Sequence, residues 1–429
     1  MANEGSAFGA TLPAWRAGAT LADAGLVALL LLVFVGLSPF EVRDSTALLH
    51  GADQSGSGSV LRQVSYLAVF AVIAIGAFRG MGARALSAVP VSLLLLLVWC
   101  VASLAWAAEP YVTFRRAVLE CVIVASVFTG VASVGAERSL KLWRLVLAGI
   151  LIVNWISIAT VPQAIHLAGE ADPSLIGDWR GLYFHKNIAG AVSAVSALVF
   201  FFAFLDERRW WDGVLFVGAA AFAAMTHSKT SVALLPVALL AGIAYRLAWA
   251  RALDRQIALV AFVLAGFVGV VAVVSQWNAI AHLLADPGEL SGRAAIWQSE
   301  IHYIADHPLL GAGFGSFADT GGSSPLRDYI SAAWIANISH GHSGYLQLLV
   351  TIGGVGFVLA MWALVVVPAW RFATAGGDAL NLTGLLFAIF VFVIFHNILE
   401  SDYLESDAAA WVSLLLAVAM LNENRRAHA

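Results

Sequence analysis

Charge is scarce in this sequence: Asp, Glu, Lys and Arg make up 12% of its 429 residues, where a soluble domain carries about 25%. Apolar residues reach 61%, which rules out a chain solvated by water on every side. Cysteine is almost missing. Cys100 and Cys121 sit inside apolar runs, with neither the spacing of metal ligands nor a disulfide framework, and read as small buried packing residues. The stretch Met1 to Thr20 lacks a short apolar core followed by a cleavage site, so no removable signal peptide is expected. No fixed-period repeat is visible, and no low-complexity tract beyond the turn-rich Gln54-Ser55-Gly56-Ser57-Gly58-Ser59. A phosphate loop is missing too, because Gly311, Gly313 and Gly315 alternate without a following Lys-Ser/Thr and read as a turn. A soluble globular enzyme, a disulfide scaffold and a loop-type nucleotide binder are thereby excluded, and no nucleic-acid partner is expected.

What fills the chain instead is apolar sequence of hydrocarbon length. A helix of about 20 uncharged residues crosses about 30 Å of lipid. Such runs predict helices near 23–40, 60–78, 86–107, 113–135, 140–161, 187–205, 212–226, 229–249, 256–275, 343–370, 379–398 and 408–421. The fold class is therefore an all-α polytopic membrane protein of about 12 transmembrane helices, one transmembrane domain over residues 1–429. An even number of spans puts both termini on one side. Of the 23 Lys and Arg residues, fourteen fall on that side and nine on the other. The loops on the terminal side are also the short ones, where the positive-inside rule is strongest. Both termini are thus expected in the cytoplasm, with the long loops 162–186 and 276–342 facing outward. In a bacterium that is the inner membrane and its periplasmic face. Inside the larger loop, 292–305 has apolar positions at helical spacing but is too short and polar to span. It reads as an amphipathic helix lying near the membrane surface.

Chemistry is expected where polar residues interrupt this pattern, above all in 276–345. Arg180-Gly181-Leu182-Tyr183-Phe184-His185-Lys186-Asn187 leads straight into a helix. A helix N-terminus is partly positive, so Lys186 beside it is misplaced unless an anion binds there; the plainer alternative is a solvated surface lysine. The arrangement recurs at His227-Ser228-Lys229-Thr230, with Ser228 as the N-cap. Arg293 opens the amphipathic helix and suits a fixed grip on phosphate, or else snorkels to lipid headgroups. His342, at the third position of a helix capped by Ser339, is a proton acceptor at neutral pH or a cap histidine bonded to backbone. His340 would point elsewhere, whereas Tyr345 and Leu346 share the His342 face. Glu120, the carboxylate inside an apolar run, is expected to pair with Arg116 or Arg115, or to orient one of them in a cavity. The acidic loop Glu400–Asp407 lacks the oxygen spacing of a calcium site and the histidines of a zinc site. It reads as solvated, with contact to a sugar acceptor as the alternative. Neither a metal nor a cofactor is expected.

These residues resemble a known family. Phe184-His185-Lys186-Asn187 is similar to the HKN segment of ExoQ-type polysaccharide polymerases. Ser291-Gly292-Arg293 through Trp297, His307-Pro308-Leu309-Leu310-Gly311-Ala312-Gly313-Phe314, and His342 with the helix after it look like the O-antigen ligase/polymerase domain. The matching region runs from about 180 to 360. One departure is Ser343, where family members often carry Asn after the histidine. The resemblance implies a GT-C-like helical fold with a periplasmic active site. It also implies a donor glycan on undecaprenyl pyrophosphate, a sugar-hydroxyl acceptor, and arginines on the pyrophosphate with a histidine acting on the acceptor.

The expected function is an inner-membrane glycosyltransferase that polymerises undecaprenyl-pyrophosphate-linked repeat units of an exopolysaccharide or O-antigen. An O-antigen ligase using a lipid A core acceptor is the near alternative. A lipid-linked sugar transporter or flippase, or a non-catalytic scaffold, are the rivals from other classes. His342 and Arg293 are the expected catalytic residues, and Arg180, Lys186, Lys229 and Arg293 the expected pyrophosphate ligands. His185, Asn187, Tyr345 and Arg116 are expected to contact substrate more weakly. Partners are the lipid-linked oligosaccharide, a glycan acceptor and membrane lipids, with polysaccharide export or chain-length proteins as further candidates.

Overall fold

The computed structural model describes residues 14–42, 59–168, 170, 173–248, 293–318, 320, 323–329, 341–375 and 380–427. The helix expected at 256–275 and much of the 276–342 loop, including Ser291, Gly292, Ser339 and His340, lie outside the described residues.

Among the described residues the chain is helical, with an isolated bridge between Ile165 and Trp179. In chain order the helices are α1 (Ala14–Phe34), α2 (Val60–Met81), α3 (Val91–Ala102), α4 (Pro110–Val134), α5 (Ala136–Thr160), α6 (Lys186–Glu207), α7 (Trp210–Met225) and α8 (Lys229–Ala248). They continue with α9 (Arg293–Asp306), α10 (Gly344–Met361), α11 (Val367–Thr374), α12 (Leu380–His396) and α13 (Ala409–Ala427). Among the described residues, six stretches are long and apolar enough to cross a membrane: Val60–Ser87, Pro110–Val134, Ala136–Thr160, Lys186–Glu207, Lys229–Ala248 and Gly344–Thr374. Four shorter apolar helices accompany them, Leu21–Phe34, Val91–Ala105, Trp210–Met225 and Leu382–His396. The chain is a membrane protein.

Local chemistry explains where the helices differ from the expected runs. The helix expected at 113–135 begins at Pro110, whose missing N–H costs nothing in a first turn. The run expected at 86–107 is instead a short α3. Pro90 stands at its N-cap, and the Ser103 hydroxyl donates to the Cys100 carbonyl at 2.7 Å where the last turn tightens. The weak last run, 408–421, becomes the centre of the molecule. Every residue from Ala409 to Leu421 is buried, and α13 packs against α4, α5, α6 and α12. A helix apolar all round can face lipid or other helices, and this one is enclosed by helices.

α10 is broken at Gly353, whose φ of 67° leaves the helical region. A gap in the backbone ladder at membrane depth has to be filled by protein, and the segment His307–Gly315 fills it. Gly354 donates to the Pro308 carbonyl at 2.8 Å, and Ala312 donates to the Val350 carbonyl at 2.8 Å. Trp99 and Trp106 clamp the crossing by donating to the carbonyls of Ile352 and Leu310, each at 3.0 Å. Gly311, Gly313 and Gly315 take φ of 66°, 94° and 65°, so the alternating glycines form the turn expected of them.

The same segment covers α9. Ala295, Ile296 and Tyr303 pack with Ala312, Phe317, Leu326 and Val350. The amphipathic helix is therefore present with nearly its expected ends, but protein, not lipid, takes up its apolar face. Polar pairs gather at two ends of the bundle. One end holds Arg144 on Glu207 at 2.7 Å and Arg246 on Asp206 at 2.7 Å, with Arg138 on Asp23. The other holds the segments 161–185, 341–343 and 397–408, where the candidate site lies.

Candidate active site

The site is built on the turn after α12. Asn397 accepts from the backbone N–H groups of Asp402 and Tyr403 at 3.0 and 2.9 Å, which folds 397–403 back over the helix end. Below it, His396 Nδ1 lies 2.7 Å from Asp402 Oδ2, and its Nε2 lies 3.1 Å from the Ser231 hydroxyl, which is 3.1 Å from that of Ser228. This is the connectivity of a Ser–His–Asp triad. Ser231 is fully buried and His396 is nearly so, so the three groups brace the turn and meet no substrate.

The brace holds Glu400 at a meeting point of four elements. Arg293, first residue of α9, donates from Nη2 to Glu400 Oε1 at 2.8 Å and from Nη1 to the Leu399 carbonyl at 2.5 Å. Asn187, in the first turn of α6, donates from Nδ2 to the same Oε1 at 3.0 Å. His342 Nδ1 faces Oε2 at 3.7 Å, in ion-pair range. The backbone N–H of Gly344, opening α10, reaches the carbonyls of both Asn397 and Glu400, at 2.8 and 2.9 Å. Burial alone would raise the Glu400 carboxyl, but His342, Arg293 and His396 outweigh it and hold it down at about 2. Glu400 is a carboxylate at any physiological pH.

His342 is not in a helix. Ser343 is the N-cap of α10, so His342 stands one residue before it with φ of 54°, a left-handed conformation uncommon for a residue with a Cβ. The expected third helical position is corrected accordingly, because the cap is Ser343. The i+3 relation to Tyr345 lapses with it, and the Tyr345 hydroxyl instead donates to the Ile394 carbonyl at 3.0 Å. The backbone before His342 is clamped by α9. Trp297 donates to the Gly341 carbonyl at 2.9 Å, and the buried Glu300 carboxyl sits directly against Gly341. Burial alone pushes that carboxyl well up from its ordinary value.

The second cluster is the 161–186 segment. Lys186 answers Asp178 at 2.5 Å, and His227 Nδ1 meets the other oxygen of Asp178 at 2.5 Å. The cation at the α6 N-terminus is thus matched by a carboxylate of the protein. His185 is the N-cap, its Nδ1 accepting from the Asn187 N–H at 3.1 Å; burial and His166 push its ring down to about 4. Arg180 is fully buried, donating to the carbonyls of Gln163 at 2.6 Å, Glu41 at 3.0 Å and Phe184 at 3.1 Å, with Glu170 at 3.5 Å. Its guanidinium ties the segment to the bundle. Lys229 is exposed at the start of α8. Arg116 donates to the Gly315 carbonyl and packs against that glycine.

Residues 214–361 match the O-antigen ligase family. No curated protein matches the chain. The O-antigen ligase match supports the O-antigen ligase/polymerase superfamily and implies a ligase- or polymerase-type glycosyltransferase acting on a lipid-linked glycan. Lys229, Arg293 and His342 fall inside the O-antigen ligase stretch, while Arg180, His185, Lys186, Asn187 and Glu400 fall outside it.

One sequence reading needs correcting against this site. The acidic loop 400–407 is not solvated: Glu400 is buried on Arg293 and Asn187, Asp402 holds His396, and Asp407 pairs with Arg62 at 2.6 Å. The available signal was compositional, an acidic loop on the side that carries nine cations. Glu120 accepts from the Trp411 indole at 2.8 Å, because α13 lies against α4.

Proposed function

We propose that this chain is an inner-membrane glycosyltransferase of the GT-C type, with twelve spans, that polymerises undecaprenyl-pyrophosphate-linked repeat units of an exopolysaccharide or O-antigen at the periplasmic face. Its 1–429 transmembrane domain holds a ligase/polymerase-like region at 180–360 and an outward loop at 276–342, and both termini are cytoplasmic. The observation that carries the reading is the convergence of Arg293 and His342 on one carboxylate, together with Asn187 of the HKN segment.

The residues divide the reaction as follows. Arg293 and Lys186 meet the lipid diphosphate, exchanging their carboxylate partners for phosphate oxygens, and exposed Lys229 adds charge at the rim. Cations already in position favour a leaving group on which charge develops as the glycosidic bond breaks. His342 accepts the proton of the attacking sugar hydroxyl. His185 and Asn187 shape the floor, while Tyr345 and Arg116 hold neighbouring backbone. Arg180 acts through the 161–186 segment, as a positioning residue and not as a phosphate ligand. Attack from the opposite face inverts the anomeric centre.

The family's description favours a second reading, an O-antigen ligase that passes the glycan to a lipid A core. The two share a donor and differ in acceptor. Purified protein in liposomes is supplied with a lipid-linked repeat unit and with either a second lipid-linked glycan or a lipid A core. Wild type is expected to extend the former, and His342→Ala and Arg293→Ala to lose at least a hundredfold in rate. Normal transfer by both variants would sink the site assignment, and transfer to the lipid A core alone would decide for the ligase.

A further inference from the structure

Glu400 has so far only been a partner to others. Its two oxygens divide the work: Oε1 takes Arg293 and Asn187, at 2.8 and 3.0 Å, whereas Oε2 faces the imidazole Nδ1 of His342, at 3.7 Å. A carboxylate on one ring nitrogen keeps the proton there and leaves the other nitrogen as acceptor. The carboxylate is itself fixed, since its backbone carbonyl binds Gly344 and its turn is braced by Asn397 and by the His396–Asp402 pair. His342 is held from the other side by its left-handed backbone and by the clamp of Trp297 on Gly341. Such contacts are often long before substrate binds and tighten in the reacting complex.

We infer that Glu400 is a positioning residue for glycosyl transfer, holding the proton of His342 on Nδ1 so that Nε2 faces the acceptor hydroxyl. The inference rests on the glycosyltransferase reading above and adds to it a carboxylate–imidazole pair. In the step it serves, the acceptor oxygen bonds to the anomeric carbon and the bond from that carbon to the phosphate oxygen breaks. The electron pair stays on the diphosphate, and the hydroxyl proton passes to Nε2. The resulting imidazolium faces Glu400 Oε2, which stabilises it. When the diphosphate engages Arg293, Asn187 still tethers Oε1, so the pair survives the exchange.

Glu400→Gln is the sharp test. The amide oxygen can keep Arg293 and Asn187, so the fold is retained, but its N–H faces Nδ1 and forces the proton onto Nε2. The rate constant kcat is expected to fall at least a hundredfold, the size of a general-base contribution. KM for the lipid-linked donor should move less than about threefold, unlike in Arg293→Ala. The charged and titratable groups facing His342 are Glu400, Arg293 across it, His185 and Lys186 at the α6 N-terminus, Glu300 behind Gly341 and His396 under the turn. Of these only Glu400 changes, so the acid limb of the kcat–pH profile should shift to lower pH in the variant that still turns over. Glu400→Asp restores the carboxylate and should recover at least tenfold over Gln, with the acid limb returning. The inference is overturned if Gln keeps wild-type kcat, if the loss is all in donor KM with the acid limb unmoved, or if Asp is no better than Gln. Should the wild-type protein itself fail to transfer glycan, the glycosyltransferase reading has failed instead.

Discussion

Gly341 gives the cleanest handle on whether the placement of His342 matters. An ideal Cβ added there would stand 1.9 Å from Glu300 Oε1 and 2.7 Å from its Cδ, where real contacts stop near 3.0 Å. More than an ångström must therefore be found, and neither side yields freely. The Glu300 carboxyl is fully enclosed, and the Gly341 carbonyl is pinned by the Trp297 indole. Overpacking of this kind costs about 1–3 kcal/mol, which a protein of this size survives. Activity should suffer more, because displacing a reacting group by about 1 Å costs about a hundredfold. Gly341→Ala is measured in the liposome transfer assay beside its melting temperature, and again in a Glu300→Ala background that removes the clash. The alanine should cost about a hundredfold against Glu300 and less than tenfold without it, a coupling typical of groups in contact. Equal losses in the two backgrounds, or no loss in either, would refute the claim that the α9 clamp sets the position of His342.

Arg180→Met tests the demotion of that arginine from ligand to tie. It removes the guanidinium that binds the carbonyls of Gln163, Glu41 and Phe184, while Glu170 keeps His166 and the Leu167 N–H, so stability should fall by about 1–3 kcal/mol, read as a lower melting temperature, with donor KM in the surviving protein nearly unchanged. A raised KM without loss of stability would return Arg180 to the diphosphate. Gly353→Ala places a Cβ 2.2 Å from the Leu309 carbonyl at a φ of 67° and should lower the melting temperature sharply. Gly80→Ala meets nothing within 4 Å and, on an exposed helix, should be neutral or mildly stabilising. The pH dependence of stability has a definite sign. His185 is depressed from 6.5 to about 4 and Glu400 from 4.5 to about 2, so the unfolded chain binds more protons than the folded one in both windows. Stability should therefore decline as pH falls from about 6.5 to 4 and again from about 4.5 to 2. His185→Asn should flatten the upper decline and Glu400→Gln the lower; an unchanged melting curve in either variant contradicts the burial assigned to that group.

Much of the architecture follows from run length alone, because lipid leaves a chain few choices. Most of the apolar helices among the described residues, the amphipathic α9 and the glycine turn at 311–315 lie near where composition and period put them, though α1 and α3 have other ends. Arg293 and His342 could be singled out for a related reason: costly polar groups beside apolar helices are seldom placed there for packing. What periodicity cannot convey is how the helix ends are brought together. Arg180, Lys186 and Arg293 look alike as cations near helix starts, yet one is sealed among carbonyls, one answers Asp178 and one reaches across to the turn after α12. That difference depends on which loops fold over which ends, a tertiary matter. Glu400 was hidden for the same cause, since four acidic residues in a short loop read as solvated until the turn at Asn397 is seen to push one of them inward.

The position of Glu400 also bears on how a diphosphate could enter at all. A cation held by a buried carboxylate is not idle: the pair keeps Arg293 oriented and its neighbourhood folded in the absence of substrate, at the expense of competing with it. A diphosphate carries more charge and more acceptor oxygens than one carboxylate, so it can displace Glu400 from Arg293 while a singly charged anion competes poorly. The same exchange applies at Lys186, where Asp178 has His227 to fall back on. A site assembled from matched pairs therefore discriminates by ligand charge, and replacing Asp178 by Asn should tighten binding of simple anions such as inorganic phosphate. Inorganic phosphate that inhibits transfer equally in wild type and Asp178→Asn would show that Lys186 is not part of the anion seat.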